Sequence, residues 1–380
     1  MLMKPRILFI MHMPPPIHGA AVMGKYIHDS EIINETFECH YINLTTAKDL
    51  DDIGKGGYRK YKDIYLKFND ILKSLNRINP DLVYITPNSC GAAFYKDFLL
   101  VEMIKVMGYR LVAHFHNKGV ATHQNNLLNN ILYQFFFKDI KIILLANILY
   151  EDVKRYVKRE NIYICPNGIE KNCTDIDVQS SITHYNKIPH ILFLSNLLIT
   201  KGIFILLDAL KILRDKNIPF FCDFVGGETY DMSISDFNKE VISRGLNKYV
   251  KYHGSKYGKE KRSIISSSDI FVFPTFNETF GLVLLEAMEL CKPCIGCNEG
   301  GIPDIIDNNK TGLIIPPKDP NELANAIEKL LDNTERRVSM GIAGREKFLN
   351  YFTIEKFELR LKAILEDCIK TNCTKECRHM

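Results

Sequence analysis

The stretch "DIFVFPTFNETFGLVLLEAMELCKPCIGC", Asp269–Cys297, contains one complete repeat of an α/β fold. "DIFVFPT" is an apolar run of strand length, "FNETFG" has the polar and small residues of a loop, "LVLLEAMEL" continues as a helix, and "KPCIGC" is the next strand. An apolar strand, a crossover helix and a second apolar strand form the parallel βαβ unit. Within it, Glu278 falls in the loop and Glu286 on the helix, with seven residues between them. Two carboxylates at that spacing need an explanation.

The same alternation extends in both directions. "HILFLSN", "FFCDFVGG" and "YVKYHG" precede the stretch as strands, "TGLIIPP" follows it, and helices are expected over 202–213, 237–244 and 321–331. Upstream, Arg6–Met11, "HYINL", "DLVYITP", "YRLVAHFHN" and "IILLAN" alternate with helices, the longest over 58–77. Between the two series, Glu170–His190 mixes charged and small polar residues without a periodic apolar face and reads as a linker. The expected organisation is an N-terminal Rossmann-like domain over 1–183 and a second over 184–352. A helix over 353–372 with an apolar stripe of Phe357, Leu361, Ile364 and Leu365 would pack across their junction. Two α/β halves leave a cleft, and open α/β sheets bind ligands at the carboxyl ends of their strands.

Composition narrows the function. A chain of 380 residues with 46% hydrophobic residues fills two cores. Its formal charge of +4, with no long basic run, gives no expectation of a nucleic-acid partner. The apolar start "MLMKPRILFIMHM" runs straight into "PPP" and reads as a buried strand rather than a secretory signal. The run Ile131–Tyr150 is broken by Lys138, Asp139 and Lys141, so a bilayer span is not expected. Eleven cysteines in varied contexts suit a reduced, cytoplasmic setting. "CKPCIGC" offers Cys291, Cys294 and Cys297 but no nearby fourth ligand, and Cys368, Cys373, Cys377 and His379 lie in a polar tail; no metal is assigned to either.

Glycines mark the candidate ligand side. Lys201-Gly202 in "SNLLITKGIFILL" stands at the start of a helix, where an ammonium and free N–H groups together suit a phosphate. A Lys-Gly pair there serves a plain surface turn equally well. "HGAA" (His18–Ala21), "VGG" (Val225–Gly227), "TFGLVLLEAM" and "EGGIPDII" place further small residues beside strand ends or helix starts, letting an extended phosphorylated ligand approach the backbone. Neither a P-loop nor a GxGxxG fingerprint is present.

With "FPTFNETFGLVLLEAM", "ITKG", "VGG", "CNEGGIPDII" and "TGLIIPP" in this order, the chain resembles family 4 of the retaining glycosyltransferases, whose Glu-x7-Glu element the first of these matches. The resemblance covers nearly the whole chain. It implies the GT-B fold, two Rossmann-like domains whose parallel sheets face across a deep cleft, and transfer of a sugar from a nucleotide-diphosphate sugar. Carried onto this sequence, it implies that Glu278 contacts the transferred sugar, Glu286 holds ribose hydroxyls, and the backbone of Phe280, Gly281 and Leu282 contacts sugar and diphosphate. Lys201 would neutralise the diphosphate, Gly226 and Gly19 would shape donor-facing loops, and His116 would sit near the sugar and the acceptor hydroxyl. His114 and His116 are expected to point to opposite faces, so that only one serves the site.

One position departs from the family pattern: Asn196 stands where many relatives have Arg and cannot provide Arg's charged fork. Lys256 or Lys259 is a candidate replacement. The resemblance implies no required cofactor or metal, and "DID" at Asp175–Asp177 falls in the linker. It implies retention by same-face attack assisted by the leaving phosphate, with Glu278 not acting as a nucleophile. The expected partners are the nucleotide sugar and a saccharide or lipid-linked acceptor, in surface polysaccharide or glycoconjugate synthesis. "YRKYKDIY" (Tyr58–Tyr65) and "FFFKDIK" (Phe135–Lys141) leave room for peripheral contact with the inner face of a membrane. The competing functions are a nucleotide-sugar epimerase, which would convert donor without acceptor, and a non-catalytic sugar-nucleotide-binding subunit, for which Asn196 is the main argument.

Overall fold

The computed structural model describes residues 3–16, 18–45, 58–183 and 186–370; the side chains of residues 58–64 lie outside that description, as do Cys373, Cys377 and His379. The chain divides into two units, Met1–Asn167 with Ile354–Met380, and Gly168–Thr353.

The first unit contains β1 (Arg6–Met11), β2 (Glu38–Asn43), β3 (Leu82–Ile85), β4 (Leu111–His114), β5 (Lys141–Leu144) and β6 (Ile162–Ile164). They form one parallel sheet in the order β2-β1-β3-β4-β5-β6. The second contains β7 (His190–Leu194), β8 (Phe221–Val225), β9 (Val250–Tyr252), β10 (Ile270–Phe273), β11 (Cys294–Cys297) and β12 (Gly312–Ile315). Its order, β12-β11-β10-β7-β8-β9, is again wholly parallel. Parallel strands under two layers of helices are buried on both faces, which is why β3, β4, β10 and β11 show no exposed position. Strand order reverses between β1 and β3 in the first unit and between β7 and β10 in the second, and those reversals open crevices at the carboxyl ends.

Three features differ from the sequence-based expectations. The division falls at Asn167/Gly168 rather than at 183/184, because Glu170–His190 is not a plain linker. It contains a helix, Asp175–Thr183, whose start is capped by Asp177 Oδ2 accepting from Thr174 N (2.8 Å) and Thr174 Oγ1 (2.7 Å). Ser181 Oγ donates to Leu290 O at 2.6 Å, and the buried Lys292 Nζ donates to Ser181 O at 3.0 Å, fastening this helix to the second unit. The signal was polar capping rather than an apolar stripe. The last described helix, Ile354–Lys370, returns to the first unit, where Phe357, Leu361, Ile364 and Leu365 join a core with Phe9, Ile27 and Ile33. Burial of side chains this size is worth roughly 2 kcal/mol each. The short edge strand β6 and the helices Gly258–Ser267 and Thr334–Tyr351 were not anticipated.

Candidate active site

In the second unit the switch point brings together the loop after β7 and the loop after β10. The first turns through Ile199–Lys201 to Gly202 (φ +84°) and starts the helix Ile203–Asp215. Glycine is required there: an added Cβ would lie 2.1 Å from the Pro274 carbonyl oxygen of the other loop. This close approach aims Lys201 across the crevice. Its ammonium donates to Glu278 Oε2 at 2.8 Å and to Asn277 O at 3.3 Å. Lys201 and Glu278 are both about one-fifth exposed (19% and 18%), so the pair is accessible yet largely desolvated.

Glu278 is held from both ends. Its backbone N–H donates to Glu299 Oε1 (3.1 Å), while its other carboxylate oxygen accepts from Thr279 N (2.9 Å) and Phe280 N (3.3 Å). Those amides lie immediately ahead of the helix Leu282–Glu289, which Gly281 opens from a left-handed conformation (φ +100°). The Phe280 ring turns inward against Phe352, leaving only its backbone to the site. One turn along the helix, the Glu286 carboxylate meets Lys261 from the helix Gly258–Ser267. Lys261 Nζ stands 2.8 Å from both carboxylate oxygens but is aligned as a hydrogen bond only to Oε1, and Oε2 is buried without a hydrogen-bond partner. The sequence offered Lys256 and Lys259 as extra cations; Lys256 pairs with Glu260 instead, and Lys261 is the basic residue at this carboxylate. Its signal was its place on an amphipathic helix after β9, visible only once that helix is known.

Asn196 has a structural partner. Its Oδ1 accepts from Gly227 N at 3.0 Å, joining the loops after β7 and β8. Gly226 N in turn donates to Gly254 O at 3.0 Å, bringing in the loop after β9.

In the first unit, the residues at the strand ends are chiefly histidines. Gly19 begins the helix Gly19–Asp29, capped by His18, whose Nδ1 accepts from Ala21 N at 3.4 Å. His12, just after β1, reaches Thr86 after β3, with its Nδ1 3.3 Å from Thr86 Oγ1. His116 lies two residues beyond the end of β4, on a loop tied down by Asp152, whose carboxylate accepts from the amides of Gly119, Val120 and Ala121 at 2.9–3.1 Å. His114 and His116 are not on opposite faces. Residues two apart share one face of a strand, and the two rings lie 4.3 Å apart. His114 is fully buried with Nδ1 2.6 Å from Tyr84 Oη.

Both ring nitrogens of His116 are shut off from solvent and have no hydrogen-bond partner, although part of the residue remains exposed. Burial, reinforced by His12 and His18, pushes its imidazole down to about 3; burial likewise takes His12 down to about 4. These groups are neutral near pH 7 and suit hydrogen bonding to a hydroxyl rather than charge neutralisation. The described residues contain no cluster of three or more His, Cys, Asp or Glu placed to hold a metal.

The chain matches the family model for glycosyl transferases group 1 over residues 177–347. An uncharacterized glycosyltransferase of Methanocaldococcus jannaschii is 27% identical over 289 residues, covering 75% of this chain and 74% of its own. Other curated relatives match over shorter stretches; for the human α-1,3/1,6-mannosyltransferase the match spans 33% of this chain and 30% of that protein, at 35% identity. Among solved structures, sucrose-phosphate synthase of Thermosynechococcus elongatus superposes with a TM-score of 0.73 at 18% identity, over 96% of this chain and 99% of its own. HepE of Anabaena, solved in complex with UDP-glucose, gives 0.68 at 16% identity over 95% and 99%. Residues 177–347 are therefore similar to the group 1 glycosyl transferases, and the chain is a glycosyltransferase with the two-domain GT-B fold.

Proposed function

We propose that this enzyme transfers a sugar from a nucleotide-diphosphate sugar, with retention of anomeric configuration, to a hydroxyl of a saccharide or lipid-linked saccharide in surface polysaccharide or glycoconjugate synthesis at the inner face of the membrane. The observation that carries the reading is the convergence of the Lys201 ammonium and helix-start amides at the switch point of the second sheet. Breaking the anomeric bond leaves negative charge on the diphosphate, and a cation with preorganised amides stabilises that charge as it develops.

Residue roles follow from chemistry. Lys201 and the amides of the segment Phe280–Leu282 meet the diphosphate, Glu286 accepts hydrogen bonds from the ribose hydroxyls, and Glu278 accepts from the sugar. Asn196 and Gly226 support the donor through the connected loops after β7 and β8, and Gly19 shapes the first unit's donor-facing loop. His116, neutral and with unpartnered nitrogens, takes a hydroxyl hydrogen bond on the acceptor side. Retention is assigned to same-face attack, in which the leaving phosphate oxygen receives the acceptor proton as the new C–O bond forms and the anomeric C–O bond breaks. No protein nucleophile is needed, and the co-substrate is the nucleotide sugar alone. HepE's UDP-glucose makes UDP-sugars the first donors to try.

Peripheral membrane contact is assigned to the helix Leu127–Phe136, which exposes Leu127, Leu128, Ile131 and Phe135. Of the three phenylalanines in "FFFKDIK", Phe136 and Phe137 are core residues and only Phe135 faces outward. Of "YRKYKDIY", only Tyr65 has a described side chain, and it is exposed. No described helix is long and apolar enough to cross a bilayer. Incubating the enzyme with UDP-sugars and a polyprenyl-linked saccharide, then assigning the product anomer by NMR, tests both acceptor class and stereochemistry; an inverted product would refute retention.

A further inference from the structure

Glu278 occupies an unusual position for a residue meant to touch a sugar. One of its carboxylate oxygens accepts from Lys201 Nζ at 2.8 Å, and the other from Thr279 N at 2.9 Å and Phe280 N at 3.3 Å. A cation together with amides at a helix start is a donor set for an anion such as phosphate. Here it is filled by the chain's own carboxylate. The backbone beneath is fixed independently: Glu278 N donates to Glu299 Oε1 at 3.1 Å, and Gly301 N donates to Thr279 O at 2.8 Å. Side-chain rotation alone is therefore enough to vacate the position.

We propose that the Glu278 carboxylate is the resident anion of the donor's diphosphate seat. It fills the seat when no donor is bound and yields it to the incoming diphosphate. Like-charge repulsion then turns it toward the sugar hydroxyls, which replace its lost hydrogen bonds. After transfer it competes for Lys201 and the amides and helps expel the nucleoside diphosphate product. The inference rests on the reading of Lys201 as the diphosphate's counter-charge.

The test is titration calorimetry of wild type, Glu278→Gln and Glu278→Ala with UDP, GDP and ADP as probes, alongside the corresponding nucleosides. Thermal unfolding confirms that each variant is folded, and two variants guard against the loss of either. Removing an ion pair that competes with the ligand should tighten nucleoside-diphosphate binding about fivefold, the scale of a partly desolvated pair. Nucleoside affinity should not change, and turnover with the full donor should fall. Wild-type binding with no gain, or a loss, in both variants would overturn the exchange while leaving the donor reading intact. Failure of wild type to bind any of the three diphosphates would overturn the donor reading and the exchange with it.

Discussion

Replacing Gly226 with alanine perturbs the architecture that aligns the loops after β7, β8 and β9. Its φ is +154°, and an added Cβ would lie 1.9 Å from the Ser195 carbonyl oxygen, 2.4 Å from Ser195 C and 2.8 Å from Asn196 N. All three atoms are backbone, so no side-chain rotation relieves the clash. Moving the oxygen from 1.9 Å to ordinary contact at 3.4 Å needs a shift of about 1.5 Å. That shift strains the 3.0 Å bonds from Gly227 N to Asn196 Oδ1 and from Gly226 N to Gly254 O. Backbone strain and overpacking together should cost about 3 kcal/mol, or roughly 6–12 °C in Tm for a unit this size. Gly254→Ala is the control: its φ is +69°, but nothing lies within 4 Å of the new Cβ. It should cost only about 1 kcal/mol. Scanning calorimetry reads the stability, and titration with UDP reads the seat, where Gly226→Ala should weaken binding roughly tenfold. Equal Tm values for the two variants, or unchanged UDP affinity in Gly226→Ala, would refute the reasoning.

Glu286→Ala should weaken nucleoside-diphosphate binding about tenfold by removing charged acceptors from the ribose, while leaving inorganic pyrophosphate affinity unchanged in calorimetry. His12 and His116 are depressed from 6.5 to about 4 and about 3, so between those values and 6.5 the unfolded chain binds protons that the folded chain refuses. Stability should fall as pH drops below about 6.5, and in thermal melts His116→Gln should reduce that slope. Changing Ile131 and Phe135 together to serine should reduce co-sedimentation with phosphatidylglycerol vesicles severalfold without lowering turnover on a soluble acceptor.

Much of this was legible because a parallel sheet writes itself into the chain as short apolar runs separated by helices. All six strands of the second sheet were anticipated, as were Lys201, Glu278 and Glu286 on their loops and helix. β6 was missed because a half-buried three-residue edge strand carries little apolar signal. The helix Asp175–Thr183 was missed because it is anchored by capping and by Ser181 rather than by an apolar face. Pairings between distant elements lay further out of reach. Nothing local indicates that Lys261 would meet Glu286, that Asn196 would accept from Gly227, or that Glu278 would fold back onto its own helix start. The histidine pair follows strand geometry, in which a spacing of two keeps His114 and His116 on one face.

The decisive experiment is a mass-spectrometric transfer assay of the purified enzyme with a panel of nucleotide sugars, with and without pooled saccharide and lipid-linked acceptors. Wild type should add one sugar to an acceptor only when both substrates are present, and Lys201→Met should lower that rate by at least about a hundredfold, the scale for removing one preorganised charge-stabilising group. Donor isomerisation without acceptor, or transfer that survives Lys201→Met at the wild-type rate, would contradict it.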